Sequence, residues 1–549
     1  MIQRIILACL LGISGALTPA TSACAQASTG IRGTVVLAIP ADVSVPVPVV
    51  GLPYTHVADV TDQLFLRLGF LKSSFRTVGD EALTPMLARS WRRVDSLTLA
   101  FELDPRATWH DGAPVTTHDV MFTWRLMVNP AVGTDHTVIE PIAGIDSTGA
   151  RTFRVRFRRT FAEQLYLIGF NLQPLPAHLL ERIAVDSITT SGYAAQPVGN
   201  GPFRFERRVP GEFVELRANS AFFLGTPTIG RVVFRVIPDP AARLNLLLSG
   251  ELDVLEYVPP TAMPQVRAKR DLRVVTFMSN LVLYGRFNTR AADDTARAHP
   301  VLGDRAVREA LVSALDRGVM AQRIYGRNAS VPGAVQSVSW SWIRPVRGTA
   351  GAASRAKVRA ALANAGWRDR DGDGILDRNG VPLRVGILYP QTSAVRNDFA
   401  LQMQAMWRAV GIDAHLERLP GPVVAERLNA GRFDVEMGSV NQDASPMSLT
   451  QSWSCASARE ARSSNKARWC NPEFDRLLAN AMIDKDPVPG YRAALAHMAR
   501  ETPAAFLAAP YNNIALHSRF ENVQVWPVKS WTSLWQWRVR RGAELPRDR

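Results

Sequence analysis

Apolar and polar residues change their spacing repeatedly along this chain, and the changes predict strands and helices in turn. Residues 203–216 hold two runs of alternating apolar and polar residues around the turn Pro210-Gly211, which predicts a β-hairpin. The nearly unbroken apolar run 232–237 predicts a strand in the buried middle of a sheet. A short helix is predicted over 241–248, and Ser249-Gly250 ends it.

The second half of the chain alternates between helical and strand spacing. Val307, Leu311 and Leu315 lie four residues apart, which predicts one apolar face of a helix. A strand is predicted over 383–388 and a helix over 399–410. This alternation predicts an α/β lobe in which helices pack on a sheet.

Two further segments carry local signals. Asp111-Gly112 predicts a turn, and Thr116 or Thr117 is the expected N-cap of the helix that follows. Residues 153–157 alternate apolar side chains with arginine, which predicts a strand at an exposed edge of a sheet.

The first residues predict a secretory signal peptide that spans residues 1–27. A short basic start precedes the apolar run 5–17, and an Ala-x-Ala ending favours cleavage after Ala25 or Ala27. Lipid anchoring at Cys24 is disfavoured, because the residues before it depart from the lipoprotein pattern. No later stretch reaches the roughly 18 apolar residues that a membrane-spanning helix needs. The sequence therefore predicts an exported, soluble protein.

Composition narrows the class of protein. The hydrophobic fraction of 47% is typical of globular proteins, and the length allows several domains of about 100–200 residues each. The formal net charge is +15. The basic residues are scattered along the chain, whereas a nucleic-acid-binding groove needs a concentrated basic stripe. We therefore expect an ordinary basic surface and no nucleic-acid partner, while association with an anionic envelope surface stays open.

The cysteines predict a disulfide. Cys9 and Cys24 are expected to leave with the signal peptide, so Cys455 and Cys470 remain. In an oxidising periplasm these two most simply form a disulfide. Closing a loop of about 15 residues contributes roughly 3 kcal/mol in the simple entropy model. Two unpaired thiols are the alternative.

Motifs for catalysis are missing from the mature sequence. It has no His-Glu-x-x-His zinc motif, no Gly-x-Ser-x-Gly elbow and no P-loop. Ser463 and Lys466 fit Ser-x-x-Lys without the companion motifs, so a chance match is the better interpretation. We therefore expect a protein that is not an enzyme and that carries no cofactor.

An aspartate-rich turn has the spacing of a calcium loop. Its carboxylates stand at positions 1, 3, 5 and 9 and belong to Asp369, Asp371, Asp373 and Asp377. A hand-type loop would carry a bidentate Glu at position 12, where Gly380 stands instead. A solvated hairpin turn is the favoured interpretation, and bound calcium is the minor alternative.

Several segments in a fixed order resemble the solute-binding proteins of bacterial ABC importers for dipeptides and oligopeptides (family 5). The main stretch contains Val198-Gly-Asn-Gly-Pro-Phe203, Pro238-Asp-Pro-Ala-Ala-Arg243 and Ser249-Gly-Glu-Leu-Asp253. A second signature begins at Trp109-His-Asp-Gly, and a third begins at Asp304-Arg-Ala-Val. The chain has Asn200 and Phe203 where the family usually has Thr and Tyr.

The resemblance implies an α/β fold of the type II periplasmic-binding-protein kind: two lobes, an extra subdomain and a ligand cleft at the hinge. The implied domain I comprises 28–72, 197–277 and 507–549, domain II comprises 73–196, and domain III comprises 278–506. It further implies a periplasmic monomer. Such a receptor captures a small peptide by lobe closure and delivers it to an inner-membrane ABC permease.

The resemblance also implies site residues. An acidic residue ten positions after the aromatic of a Phe/Tyr-Asp strand grips the ligand ammonium in peptide-binding relatives, and counting from Phe433 reaches Asp443. Asn441 and Ser445 flank it and are expected to line the cleft. Trp340 and Trp342 are candidates for a stacking wall, with core packing as the alternative.

One departure weakens a strict dipeptide assignment. Dipeptide-specific relatives carry an Arg after the strand that corresponds to 383–389, where this chain reads Pro390-Gln391. Arg396 lies nearby, although not at the matching position. A longer peptide or another amine-bearing solute therefore stays open, as does a receptor for an opine, sugar or metal chelate. A secreted hydrolase is the less favoured alternative.

Overall fold

The computed structural model describes part of the chain, and the predicted signal peptide at residues 1–27 lies outside that part. The described residues are 31–51, 54–132, 139–344, 346–460 and 463–548.

Strands follow one another along the whole described chain. They are β1 (Thr34–Ile39), β2 (Gly69–Leu71), β3 (Leu83–Pro85), β4 (Ala88–Asp95), β5 (Thr98–Leu103), β6 (Ile142–Ser147), β7 (Thr152–Phe157), β8 (Phe203–Val209), β9 (Phe213–Ala218), β10 (Arg231–Val236), β11 (Val254–Leu255), β12 (Leu272–Met278), β13 (Leu281–Phe287), β14 (Ala329–Ser330), β15 (Asp377–Arg378), β16 (Val381–Pro382), β17 (Arg384–Pro390), β18 (Asp413–Leu419), β19 (Val435–Asn441), β20 (Ala504–His517), β21 (Phe520–Glu521) and β22 (Arg538–Val539).

Helices connect many of these strands. They span Thr55–Leu64, Thr117–Met127, Gln164–Asn171, Ala177–Leu180, Gly192–Ala195, Pro240–Leu248, Met263–Ala268, Arg305–Ser313, Arg317–Tyr325, Arg355–Asn364, Ala394–Arg408, Gly421–Ala430, Ser448–Trp453, Cys455–Arg459, Pro472–Ile483 and Val488–Glu501. Among the described residues, none of these helices has both the length and the apolar character needed to cross a membrane.

The local predictions agree well with these elements. The hairpin predicted over 203–216 is the antiparallel pair β8–β9. The apolar run predicted as a central strand is β10, which lies between β1 and β9. Thr116 is the N-cap, and a reciprocal hydrogen bond from its backbone N–H to the Asp119 side chain completes a capping box.

One strand, β20, belongs to both halves of the molecule. This 14-residue strand pairs with β13 at its start and with β12 and β11 towards its end. We call residues 31–278 and 512–548 lobe A and residues 281–508 lobe B. The sheet order β18-β17-β19-β13-β20-β11-β1-β10-β9-β8 therefore runs from lobe B into lobe A through β20.

A second connection crosses between the lobes beside β20. The short link Ser279-Asn280 joins β12 to β13, and the Ser279 hydroxyl donates to the carbonyl of Pro510 at 2.7 Å. Two neighbouring strand connections therefore join the lobes at one level, which is the geometry of a hinge.

A separate four-stranded sheet in lobe A has the order β4-β5-β7-β6. The prediction that residues 153–157 form an exposed edge strand is wrong, because β7 lies between β5 and β6. The arginines of β7 do face outward, and Arg156 pairs with Asp146 of β6 at 2.7 Å. The alternation of apolar residues and arginine therefore correctly predicted which face of β7 is exposed to solvent. It does not determine whether the strand lies at the edge or in the middle of the sheet.

Hydrophobic packing differs between the lobes. One large core in lobe A joins β1 and β10 to the four-stranded sheet and draws in Ala444 from lobe B. In lobe B, the helix Arg305–Ser313 buries Val307 and Leu311 as predicted, in a core shared with the helix Ala394–Arg408. A second core of lobe B contains Trp340.

A buried ion network ties the beginning of lobe A to its end. The Arg519 guanidinium donates to Asp253 at 2.9 Å, to Asp548 at 2.5 Å and to the carbonyl of Thr34 at 2.6 Å. Asp253 also accepts from the backbone N–H of Val36 at 2.9 Å. The side chains of Arg519 and Asp253 are 1% and 0% exposed, so the two charges depend on each other.

We expect Arg519→Met to destabilise the protein by about 3–5 kcal/mol, because it leaves the buried Asp548 carboxylate without its cation and leaves Asp253 paired with Arg547 alone. Urea denaturation at neutral pH measures the change. Arg538→Met is the matched control, since Arg538 is 57% exposed and pairs with Glu521 at the surface. The control is expected to stay within about 1 kcal/mol of wild type. Equal losses in the two variants would contradict this account of the network.

Candidate ligand-binding site

A cavity of about 850 Å³ lies between the lobes, next to the hinge. Its walls come from the helix Thr55–Leu64, the helix Gln164–Asn171 and the segment 527–530 on one side, and from β13, β19 and the residues after β19 on the other. The volume is within the range of small-molecule binding sites.

Asp443 and Asn441, two of the candidates from the family resemblance, both line this cavity. β19 ends at Asn441, so the next residues leave the sheet at the cavity wall. Asp443 Oδ1 accepts from the Tyr166 hydroxyl at 3.1 Å and from the backbone N–H of Ser445 at 2.7 Å. The carboxylate is thus oriented by one group from each lobe.

Ser445 is buried behind Asp443 rather than on the cavity wall. Its hydroxyl donates to Glu163 of lobe A at 2.7 Å, and the Thr77 hydroxyl also donates to Glu163. The pKa of Glu163 is raised from 4.5 to about 7. Burial is the main cause and the charge of Asp443 adds to it, whereas the hydrogen bonds from the Thr77 and Ser445 hydroxyls lower the pKa. This carboxyl therefore titrates near neutral pH at a contact between the lobes.

Trp340 and Trp342 lie away from the cavity. Trp340 is fully buried in a core of lobe B, and Trp342 packs edge-on against Tyr491 with ring centroids 6.2 Å apart. The placement corresponds to core packing, which was the alternative to a stacking wall.

Cationic groups on the lobe B wall were missed from the sequence. Arg286 of β13 donates to Glu436 of β19 at 2.8 Å, and both side chains line the cavity. Lys466 also lines it, and no described carboxylate lies within the 4.0 Å ion-pair distance of its ammonium. Burial, followed by the charge of Arg286, lowers the pKa of Lys466. An arginine within the otherwise apolar run 281–287 was the available signal.

The disulfide between Cys455 and Cys470 is present, as predicted. It closes the loop that carries Ser464 and Lys466 to the cavity. Cross-linking the ends of this loop restricts the positions open to those two residues.

The aspartate-rich turn lies at the surface of lobe B. The carboxylates of Asp369, Asp371 and Asp373 approach within 4.8 Å of one another and are exposed. Asp377 pairs instead with Arg370 at 2.6 Å. The three clustered carboxylates accept from backbone N–H groups of their own turn. Calcium binding here stays a prediction.

Comparison with known proteins identifies the family. Residues 82–460 match the model of the family described as "Bacterial extracellular solute-binding proteins, family 5 Middle". The match covers more than half of the chain, and the protein belongs to this family. Members of this family are bacterial extracellular solute-binding proteins.

Individual relatives agree with this assignment. The chain is 24% identical to the oligopeptide-binding protein AppA of Bacillus subtilis (strain 168) over 485 residues, which cover 84% of this chain and 85% of AppA. The solved structure of that AppA in complex with a nonapeptide superposes with a TM-score of 0.77 at 22% identity, over 93% of this chain and 99% of AppA.

A chelate-binding protein has the same fold. NikZ from Campylobacter jejuni in complex with Ni(L-His) superposes with a TM-score of 0.76 at 19% identity, over 92% of this chain and 99% of NikZ. The predicted α/β fold of the type II periplasmic-binding-protein kind, with several domains and a cleft at the hinge, is therefore confirmed.

Glu163 predicts a specific pH dependence of stability. Because burial raises its pKa from 4.5 to about 7, its contribution to folding is complete below pH 4.5 and is lost as the pH rises through 7. Relative to Glu163→Gln, the free energy of unfolding of the wild type should therefore fall by roughly 3 kcal/mol between about pH 4.5 and pH 8.

Urea denaturation across this pH range measures the difference. Glu81→Gln is the matched control, because the Glu81 side chain is 95% exposed, and it should follow the wild type at every pH. Parallel pH profiles for wild type and Glu163→Gln would show that Glu163 does not titrate there.

Proposed function

We propose that this protein is a periplasmic receptor that captures peptides, or similar amine-bearing solutes, and delivers them to an inner-membrane ABC permease. The observation that carries the proposal is the cavity between two hinged lobes, with the Asp443 carboxylate exposed on its wall. The signal peptide proposed for residues 1–27 places the mature protein in the periplasm.

Lobe closure is the proposed mechanism of capture. A solute in the cavity contacts lobe A and lobe B together only when the lobes are closed, so binding shifts the population towards the closed state. The rotation would take place at Ser279-Asn280 and within β20, where the two connections between the lobes lie side by side. The closed form would then dock on the permease as a monomer.

The proposed site matches the two ends of a short peptide. Asp443 holds the α-ammonium by a charge-assisted hydrogen bond, which contributes about 1.5–3 kcal/mol. Lys466 and Arg286 are the candidates for the ligand carboxylate, since both line the lobe B wall. Backbone hydrogen bonds between them, of the strand-addition kind, would accept varied side chains. The peptide complex of AppA supports this choice of ligand class.

The three-domain division proposed from the family resemblance places the site between domains. Domain I comprises 28–72, 197–277 and 507–549, domain II comprises 73–196, and domain III comprises 278–506. In this division the Asp443 carboxylate of domain III meets Tyr166 of domain II. The four-stranded sheet and the helix that carries Tyr166 fall within domain II.

A metal chelate is the second candidate ligand. The likeness to the Ni(L-His) complex of NikZ favours it, as does the lack of an arginine where dipeptide-specific relatives carry one. Native mass spectrometry of ligand that copurifies with the protein separates the candidates. A mixture of peptides supports the proposal, whereas a metal chelate, an opine or a sugar contradicts it. Peptide cleavage abolished by one substitution without loss of folding would favour the hydrolase instead.

Asp443→Ala is expected to weaken binding of a peptide with a free N-terminus by more than tenfold, because about 1.4 kcal/mol corresponds to a factor of ten in affinity. Titration calorimetry with a peptide identified by copurification measures the effect. The same peptide acetylated at its N-terminus is the control, and it should bind wild type and variant with equal, weak affinity. An equal loss for both peptides would show that Asp443 supports the cavity and does not hold the ammonium.

A further inference from the structure

Two acidic side chains of lobe A face the same cavity at a place that the proposed peptide contacts do not use. Asp59 lies on the helix Thr55–Leu64, and Glu256 follows β11 directly. Both line the large cavity, and both also border a small space of about 10 Å³ beneath its floor, next to Trp531. They are almost 200 residues apart in sequence, and the fold brings their carboxyl groups together.

Neither carboxyl group has a hydrogen-bond or ion-pair partner in the part of the chain that the structure describes, and the charges of Lys529 and Arg243 act on them only from a longer distance. Asp59 is 7% exposed, yet no described donor bonds to its carboxylate, and no described Lys, Arg or His nitrogen lies within 4.0 Å of either group. The charged groups around them are engaged elsewhere. Lys529 pairs with Asp62 at 3.4 Å, and Arg243 donates to the carbonyl of Pro238 at 3.3 Å.

Buried carboxyl groups in proteins are normally hydrogen-bonded or paired with a cation, because isolated burial is costly. A deeply buried, unpartnered carboxyl on a cavity wall therefore points to a partner that arrives with the ligand. We propose that Asp59 and Glu256 form a subsite for a second cationic group of the solute, an ammonium or guanidinium carried by a side chain. This inference rests on the proposed function, in which Asp443 holds the α-ammonium.

The chemistry of the pair favours an organic cation over a metal ion. Asp59 and Glu256 do not belong to any described group of three His, Cys, Asp or Glu side chains whose ligand atoms lie within 4.8 Å of one another. An ammonium offers three donors and a guanidinium offers five, so one cationic group can satisfy both carboxylates.

The electrostatics of the two carboxyl groups support the same conclusion. Burial raises the pKa of Asp59 well above its usual value, and the charge of Glu256 raises it further. Burial also raises the pKa of Glu256. The charges of Lys529 and Arg243 act in the opposite direction on Asp59 and Glu256. The raised pKa values favour protonation of the pair, and a cationic side chain that enters would favour release of a proton to the solvent.

The test is a lysine scan. Tetra-alanine peptides that carry Lys, or the uncharged norleucine, at each of positions 2 to 4 are titrated calorimetrically into the full-length mature protein. At one position Lys should bind at least about tenfold more tightly than norleucine. At pH 7, titrations in phosphate and Tris, which differ in ionisation enthalpy, should show proton release with the Lys peptide and none with the norleucine peptide.

The variant Asp59→Asn with Glu256→Gln should lose the preference for Lys and the proton release, and its affinity for the norleucine peptide should stay within about twofold. Thermal unfolding at pH 8 checks folding, and Asp59→Asn alone should melt no lower than wild type, because it removes a buried carboxyl group that has no hydrogen-bond partner among the described residues. Asp371→Asn, an exposed carboxylate far from the cavity, is the control that should keep the preference.

The outcomes separate the two proposals. Equal binding of Lys and norleucine peptides overturns the cationic subsite and leaves the peptide receptor intact. A preference for Lys that survives in the double variant also overturns the subsite. If the wild type binds nickel chloride alone and the double variant does not, the two carboxyl groups form a metal site and the cationic subsite is overturned. If no peptide binds and the copurified ligand has no basic group, both proposals fall.

Discussion

The structure depends on one strand that two lobes share. β20 pairs with lobe B strands over its first residues and with lobe A strands over its last. Its backbone hydrogen bonds are therefore divided between the two lobes, and neither sheet is complete without it. Within the described part of the chain, this strand and the neighbouring link Ser279-Asn280 connect the lobes at the hinge, which is where the proposed rotation would occur. The cavity lies beside the hinge, because Ser279, Asn280 and Asn512 next to these connections form part of its wall.

Charged side chains of both signs line that cavity from both lobes. Lobe A contributes Asp59, Glu256 and Lys529, and lobe B contributes Arg286, Lys466, Glu436 and Asp443. Where the lobes meet, Glu163 accepts hydrogen bonds from both of them, and its raised pKa reflects its burial in the interface. Groups of this kind are costly for folding when nothing satisfies them. Arg519 and Asp253 satisfy each other elsewhere in lobe A. At the cavity, by contrast, the proposed charged ligand would supply the partners for Asp59, Glu256 and Lys466.

The sequence was informative where the determinant is local. The hairpin around Pro210-Gly211 and the cap at Thr116 depend on residues close together in the chain, and the structure places both as predicted. Asp443 came from the family resemblance, and its role stays a prediction. Contacts between residues far apart in the sequence could not be predicted from local patterns. Trp340 is core, because the helices that cover it follow more than a hundred residues later. The fold brings Asp59 and Glu256 to the same cavity, and no local sequence pattern predicts this proximity.

The Arg519 network also bears on the order in which the chain folds. β1 is the first described strand, yet Thr34 and Val36 are held by Asp548 and Asp253, and Arg519 joins the two aspartates. A polypeptide that emerges from a ribosome or an export channel with its N-terminus first lacks these contacts until residues 519–548 have emerged. β1 therefore gains this part of its stabilisation late, after its partner strands β10 and β11 are already available.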